Sequence, residues 1–378
     1  MAPTEPSSSG VSSEPQAAPP ARRSRVRSAL AAAVTLFLLA TITLAGAVGS
    51  HVLAWRSFLD RPLPLPPEGL LVDLQAGQTV EGLARQFQGQ GLLPWPHWLS
   101  LYARFTGAAT RLKAGEYRVP AGATPRDLLQ MLQDGRVVQY SFTIVEGWTF
   151  AQVRHALEQH PVLKATLAGL SPEAVMERIG ARGVHPEGRF LPETYHFPRG
   201  ATDAEVLRRA RRDMNAALAS AWAGRSPTLD LKGPDEALIL ASIIERETGR
   251  AEERARVAGV LVRRLRKGMA LQVDPTVIYG LGEPFDGNLR REHLTRDTPY
   301  NTYVRVGLPP TPIAMPGRAS LQAAVQPEAG TALFYVSRGD GSHHFSDTYE
   351  AHRRAVAEFQ SPRATAPAGE ASRPPRAP

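Results

Sequence analysis

Two glutamates separated by a single residue, Glu245 and Glu247, close the largely apolar run Ala241-Ser242-Ile243-Ile244, and a helix there gives them different surroundings. At 100° per residue, Leu240, Ile243, Ile244 and Glu247 fall on one stripe with Glu247 near its centre, while Glu245 points the other way, beside Ala241. A carboxylate on an apolar stripe is either desolvated or held at the rim of a cleft. Desolvation favours the neutral acid and raises its pKa toward what a general acid needs at neutral pH, and the negative end of the helix dipole pushes the same way. The same spacing suits a structural acid that pairs with Arg250 or Arg254, and periodicity alone leaves both readings open.

Polar residues gather after that stretch. Leu271-Gln272-Val273-Asp274-Pro275-Thr276 is followed by Tyr279-Gly280, by Thr298-Pro299-Tyr300-Asn301-Thr302-Tyr303 and by Gly307-Leu308-Pro309-Pro310. Tyrosine faces, amides and carboxylates suit sugar rings and hydroxyls, and are as common in turns. The chain has no cysteine, which excludes a thiol nucleophile, a disulfide framework and a cysteine zinc site. The composition calls for no metal or cofactor. A net charge of +8 raises the question of nucleic acid, but no nucleic-acid-reading motif accompanies it, so a weak attraction to an anionic surface is the most it implies.

The elements that carry these residues are marked by helix signals. Pro234-Asp235-Glu236 opens the helix that ends in the glutamates, and Gly249 is the expected stop. Upstream, Thr202 with Glu205 forms a capping box, and Ser171-Pro172 is a cap followed by a first-turn proline. Val138, Tyr140, Phe142 and Ile144 alternate with polar residues as in a half-buried strand. Before these, residues 69–136 read as a compact α+β module. It holds an apolar run at Leu70, a helix capped by Thr79, a second helix from Trp98 to Phe105, a strand at Lys113-Ala114-Gly115-Glu116-Tyr117-Arg118-Val119 and a third helix from Pro125.

Residues 28–55 contain no Lys, Arg, Asp or Glu, and their apolar centre, 29–48, is long enough to cross a hydrocarbon core of ~30 Å as a helix. Arg22, Arg23, Arg25 and Arg27 precede it, whereas Arg56 and Arg61 follow with Asp60 between them, a bias that predicts a cytoplasmic N-terminus and everything after the span outside. A cleavable signal peptide is the alternative, since Ala45-Gly46-Ala47 has the small residues of a cleavage site, but the apolar run is longer than a signal core of ~7–15 residues. The expected division is a disordered cytoplasmic segment at 1–27, a transmembrane helix at 28–50, a Pro-rich linker at 51–68 acting as a stiff polyproline spacer, the module at 69–136, a second domain at 137–360 and a disordered tail at 361–378.

In this order the segments resemble the endolytic murein transglycosylase family, also called MltG or YceG-like. The resemblance is carried by Leu112-Lys113-Ala114-Gly115-Glu116-Tyr117, Val145-Glu146-Gly147, Leu191-Pro192-Glu193-Thr194-Tyr195, Ala241-Ser242-Ile243-Ile244-Glu245-Arg246-Glu247-Thr248 and Leu271-Gln272-Val273-Asp274-Pro275-Thr276-Val277-Ile278-Tyr279-Gly280. It continues through Tyr300-Asn301-Thr302-Tyr303, Gly307-Leu308-Pro309-Pro310-Thr311-Pro312-Ile313-Ala314-Met315-Pro316-Gly317, Phe334-Tyr335-Val336 and His343-His344-Phe345-Ser346, with Arg246 standing where lysine is frequent.

The resemblance implies an α+β chain with an N-terminal anchor, a LysM-like module and a mainly helical catalytic domain of distant lysozyme-like character. It assigns the catalytic acid and base to Glu247, with Thr248 where related transglycosylases often carry serine. By motif position, Gln272, Asp274, Tyr300, Asn301 and Tyr303 are the candidates for holding sugar. Glu245 joins them and is the fallback for catalysis. Glu146 and Glu193, beside Gly147 and Pro192, read as structural. The implied reaction uses one carboxyl group: Glu247 protonates the oxygen of the MurNAc-β-1,4-GlcNAc bond, then takes the proton of the C6 hydroxyl as a 1,6-anhydro ring closes. Two rivals stay open: a muramidase, with Asp274 as the second carboxylate that hydrolysis usually requires, and a non-catalytic wall-binding scaffold. The expected partners are peptidoglycan glycan strands, the membrane and glycan polymerases such as penicillin-binding proteins. The expected location is the inner membrane with the catalytic domain periplasmic, where the family cuts inside new strands and so limits their length.

Overall fold

Helix α1 (Arg22–Asp60) begins the structure, a computed structural model that describes residues 22–282 and 285–360; the expectations for 1–21 and 361–378 lie outside the described residues. The stretch from Ala29 to Asp60 is apolar enough to cross a membrane, with a mean hydropathy of 2.2 over its best window, and none of that window is buried against protein. The hydroxyl groups at Thr35, Thr41, Thr43 and Ser50 are satisfied within the helix. Thr35, Thr41 and Thr43 donate to carbonyls three or four residues back, and Ser50 donates to Ala47. The helix is longer at both ends than the span expected at 28–50, because neither the preceding arginines nor residues 51–60 contain a helix breaker.

The chain divides into two compact units, residues 1–136 and 137–378. In the first, strand β1 (Leu70–Leu74), helices α2 (Val80–Gly89) and α3 (Pro96–Phe105) and strand β2 (Gly115–Val119) follow in the order β-α-α-β, and the two strands pair antiparallel with Leu70 opposite Val119. The Thr79 side chain caps α2 at Gly82 as expected. Helix α4 (Pro125–Asp134) opens on a Thr124/Asp127 capping box and stops at Gly135 in the left-handed conformation. Leu83, Leu99, Tyr117, Leu128 and Leu132 are fully buried at the centre. The Pro-rich run after α1 is not a free spacer. Leu63 within it is buried, as are Phe58 and Leu59 at the end of α1, and the Leu63 amide donates to the Ala123 carbonyl at 2.8 Å, so hydrophobic burial ties the run to the module.

The second unit holds two cores. Strands β3 (Gln139–Thr143) and β4 (Thr194–Pro198) pair antiparallel and pack with helices α5 (Phe150–Glu158), α6 (Pro172–Arg178) and the start of α7 (Asp203–Ala223) around Phe142, Phe190 and Tyr195. The second core is built on α8 (Pro234–Glu247), in which Leu238, Leu240, Ala241, Ile243 and Ile244 are fully buried. Helix α7, helix α9 (Arg254–Arg266), helix α10 (Asp274–Leu281) and helix α12 (Arg318–Val325), which follows the short α11 (Arg291–Thr295), pack on it. Strands β5 (Phe334–Ser337) and β6 (His343–Ser346) form a hairpin, and α13 (Tyr349–Phe359) packs on it. The described residues thus form a mixed helix and sheet fold whose three sheets are all two-stranded and antiparallel.

Candidate active site

Helix α8 begins with Pro234 at its first turn and ends at Glu247. The expected glycine stop is replaced by Thr248, which leaves the helix in an extended conformation (φ −140°, ψ 131°) and accepts the Arg250 amide on its hydroxyl at 3.1 Å. A β-branched residue is at home in that conformation, so Gly249 need not turn left-handed, and it does not. The early exit puts Glu247 on the last helical residue, with Ile243 and Ile244 buried behind it.

The two glutamates then part company. Glu245 has a side chain only 6% exposed, 3.7 Å from the Arg254 guanidinium, and accepts the Gly317 amide at 2.9 Å. It is therefore the glutamate that pairs with Arg254, the role considered above for Glu247. Arg250 turns elsewhere, to the Asp340 carbonyl and to Glu252. Around Glu245 lie Glu146 and Glu193; burial first, then repulsion from Glu245, raises the Glu146 pKa, and Arg318 pairs with Glu193 at 3.4 Å. A Cβ on Gly317 would meet the Glu146 carboxylate, so glycine there lets the Glu146 side chain lie against the loop.

Glu247 as a whole is partly exposed, but its Oε2 is buried with no hydrogen-bond partner. Among the described residues it is the one buried carboxylate oxygen in that condition. Burial pushes its pKa up to about 7; the Tyr335 hydroxyl opposes the rise by hydrogen bonding, the negative charge of Asp274 adds to it, and His343 reduces it. Burial and the facing Glu247 raise the Tyr335 pKa well above its ordinary value, keeping that hydroxyl a donor.

Four segments deliver these neighbours. Tyr335 comes from β5, and its ring meets that of His343 on β6 edge to face at 5.3 Å. His343 is held by Glu253, which accepts its backbone amide at 2.9 Å and lies 2.7 Å from its Nδ1. Asp274 stands at the start of α10 and accepts the Tyr303 hydroxyl at 2.5 Å, and Tyr303 feels the Glu247 charge. The segments behind Asp274 and Tyr303 are laced together. Gln272 N donates to the Thr302 carbonyl, Val273 N donates to Thr302 Oγ1, and the hydroxyls of Thr276 and Thr302 are 2.8 Å apart. Arg264, nearly buried, donates to the carbonyls of Leu333, Ala270 and Leu271 and to Gln272 Oε1, joining the approach to β5 to the segment before α10.

The residues expected to hold sugar divide accordingly. Asp274 and Tyr303 are brought to Glu247. Gln272 is exposed beside them, in a left-handed conformation (φ 55°) that is the one positive φ of a non-glycine residue among those described. Asn301 is fully buried: its amide nitrogen donates to the carbonyls of His293, Leu294 and Arg296, and its oxygen accepts the Tyr303 amide, so it aims Tyr303 and has no free group for a ligand. Tyr300 turns away, with its hydroxyl 2.8 Å from Thr311 Oγ1 and its ring 4.8 Å from that of Tyr279.

Tyr335, His343, Arg264 and Glu187 carry no role by sequence reasoning. Tyr335 and His343 lie within the motifs quoted above, but no periodicity aims a residue of the β5–β6 hairpin at a helix end roughly 90 positions earlier. Glu187 is 3% exposed, and burial raises its pKa to about 7 as well. Its oxygens accept the Phe150 amide at the N-terminus of α5 (3.0 and 3.2 Å) and the Tyr279 hydroxyl (3.0 Å).

The chain is similar to known proteins over most of its length. It is 26% identical over 331 residues to an endolytic murein transglycosylase of Bacillus subtilis (strain 168), an alignment covering 83% of this chain and 91% of that protein. To an endolytic murein transglycosylase of Streptococcus pneumoniae serotype 2 (strain D39) it is 26% identical over 361 residues, 85% of this chain and 64% of that protein. The crystal structure of a putative yceG-like protein from Listeria monocytogenes superposes with a TM-score of 0.48 at 26% identity, over 77% of this chain and all of that one. The profile of the YceG-like family matches residues 72–358, which takes in both units and every residue of the Glu247 cluster, and the chain belongs to that family.

Proposed function

We propose that this protein is a membrane-anchored lytic transglycosylase that cleaves the MurNAc-β-1,4-GlcNAc bond of peptidoglycan, with Glu247 as its one acid and base. The observation that carries the reading is the buried, unpartnered Oε2 of Glu247 on a carboxyl group whose pKa is pushed to about 7. Such a group is neutral often enough at neutral pH to donate a proton and acidic enough to be left ionised afterwards. The names of the relatives support the substrate. Protonated Glu247 donates to the glycosidic oxygen, the C1–O bond breaks toward an oxocarbenium-like state, and the Glu247 carboxylate then takes the C6 hydroxyl proton as C6–O closes on C1. The proton is returned and no water is consumed.

Asp274 is exposed and its carboxylate can balance the positive charge that develops on the sugar, with Tyr303 fixing its orientation. Gln272 borders the same groups and is assigned to glycan hydroxyls. Glu245, Asn301 and Tyr300 are assigned to support, since their polar atoms are engaged within the protein.

The remaining parts of the reading are coarser. Helix α1 serves as a single-pass inner-membrane anchor with its arginine-rich end cytoplasmic and the glycan-cutting domain periplasmic. The β-α-α-β order of the first unit supports a LysM-like module, and a buried acid at a helix end supports a distant likeness to lysozyme-type enzymes. An anchored cutter reaches strands as polymerases such as penicillin-binding proteins extrude them, and internal cuts there terminate elongation.

The test is digestion of purified peptidoglycan by the full-length protein and by Glu247→Gln, with product termini identified by mass spectrometry. Anhydro-muropeptides, lighter by one water than hydrolysis products, are expected from the wild type and none from the variant. Hydrated ends would instead identify a muramidase with Asp274 as its second carboxylate, and undiminished cutting by the variant would remove Glu247 from the mechanism.

A further inference from the structure

Helix α3 presents two apolar faces where a helix at the edge of a water-soluble module needs one. Leu99 and Ala103 are fully buried in the first unit. On the other side, Leu101 is 43% and Phe105 75% exposed, with Trp95 46% exposed just before the helix. Three or four residues apart, Trp98, Leu101 and Phe105 form one stripe.

The stripe is joined to the apolar helix. Trp55 on α1 donates its indole N–H to the Trp98 carbonyl at 3.1 Å, and its ring packs against Tyr102 and Phe105 at 6.2 and 6.3 Å. Phe58 meets Trp95 and Trp98 at 6.1 and 5.4 Å. A groove of about 410 Å³ between the two helices is walled by Ala47, Val48, Val52, Trp55, Trp98 and Leu101. Ala47 and Val48 are the last residues of the apolar run, so Leu101 stands at the height where the run ends. Trp55 lies seven residues further, about 10 Å along the axis at 1.5 Å per residue, and the headgroup layer on each side of a ~30 Å hydrocarbon core is itself several ångströms thick.

We propose that the face formed by Trp95, Trp98, Leu101 and Phe105 docks into the headgroup and upper acyl region of the bilayer that α1 crosses, so that the first unit lies against the outer leaflet. This rests on the reading of α1 as a membrane span. Lipid is favoured over a glycan or a protein partner on three grounds. The face continues the surface of the span without a polar break other than His51. It is rich in the amphipathic rings that collect at membrane interfaces. Helix α3 carries no acidic residue, and Arg104 and the exposed Arg56 flank the face, as anionic headgroups require. Docking at a second point fixes the tilt of α1 and the height of the module, where a single helix would leave both free.

Because the chain has no cysteine, single substitutions report on depth directly. The full-length protein is reconstituted in vesicles of phosphatidylcholine and phosphatidylglycerol with an environment-sensitive fluorophore on Phe105→Cys, on Leu101→Cys or on Leu39→Cys, with and without brominated phosphatidylcholine. Blue-shifted emission and quenching by brominated lipid at all three positions are expected, strongest at Leu39→Cys. Quenching at Leu39→Cys with water-like emission at positions 101 and 105 would overturn the docking and leave the anchor standing. No quenching at Leu39→Cys would overturn both. Unquenched but blue-shifted emission at 105 with Phe105→Cys dimers forming on oxidation would assign the face to a second copy of the chain and overturn the lipid proposal.

Discussion

In the second unit Glu187 and Glu247 each turn carboxyl oxygen away from solvent, and desolvation brings both to a pKa of about 7. Their surroundings differ in one respect. Both oxygens of Glu187 accept hydrogen bonds, from the Phe150 amide and the Tyr279 hydroxyl, and those donors join the start of α5 to α10. Glu247 keeps a buried oxygen without one, at the open end of α8 and beside an exposed carboxylate. A raised pKa records desolvation and so marks both residues alike. Unsatisfied hydrogen-bonding capacity tells the acid available to a substrate from the acid spent on the fold.

The comparison is sharpest where it predicts opposite losses. Glu247→Gln should lower glycan cleavage by about 10²- to 10⁴-fold or more, the contribution expected of a positioned acid-base group, while its thermal midpoint stays at or above that of the wild type. A large fall in the midpoint would move Glu247 into the structural class. Cleavage by the wild type should also fall as pH rises through about 7, since the first step needs the protonated acid, and the fall should approach tenfold per pH unit.

Glu187→Ala should do the reverse. It leaves the Phe150 amide and the Tyr279 hydroxyl without their acceptor, at about 1–3 kcal/mol for each buried donor, so the denaturant midpoint drops while the pH profile of the remaining folded enzyme is unchanged. The linkage has a definite sign. The folded Glu187 carboxyl has a pKa raised from the ordinary 4.5 to about 7, so the folded state binds the extra proton between those values. That contribution to stability is fully present below about pH 4.5 and is lost as pH rises through about 7. Subtracting the stability curve of Glu187→Gln from that of the wild type should expose the decline. A difference that grows with pH would refute the assignment.

Glu245→Gln tests the neighbouring pair. Breaking its contact with Arg254 should cost stability, and cleavage per folded molecule should persist within about tenfold, the equivalent of ~1.4 kcal/mol. Loss of cleavage on the scale expected of Glu247→Gln would transfer the catalytic role to Glu245. Tyr335→Phe should have the smallest effect. One hydrogen bond contributes about 0.5–1.5 kcal/mol, so the rate changes by about tenfold or less. Because Tyr335 holds the Glu247 pKa down, its removal should move the alkaline limb of the pH profile to higher pH.

Much of this was legible along the chain. The capping box at Thr202, the cap at Thr79, the helix that ends in the glutamates and the apolar span are local patterns of side-chain period and cap chemistry, and they appear where their residues put them. The stripe of Leu240, Ile243 and Ile244 correctly pointed inward. It failed for Glu245, whose side chain is the more engaged of the two, because its partners Arg254 and Gly317 come from another helix and a distant loop. Asn301 and Tyr300 looked like ligands for sugar, since an amide and a phenol read the same in sequence whether they face solvent or a backbone carbonyl.

Sequence by itself determined the elements, the apolar span with its charge bias, and the candidacy of one helix-terminal carboxylate, all properties of neighbours within a few turns. Which carboxylate keeps a buried oxygen unpartnered, and that Tyr335, Asp274 and His343 lie near it, was decided only by the tertiary structure. Desolvation and hydrogen-bond satisfaction are sums over groups that the chain separates by tens of residues and only packing brings together.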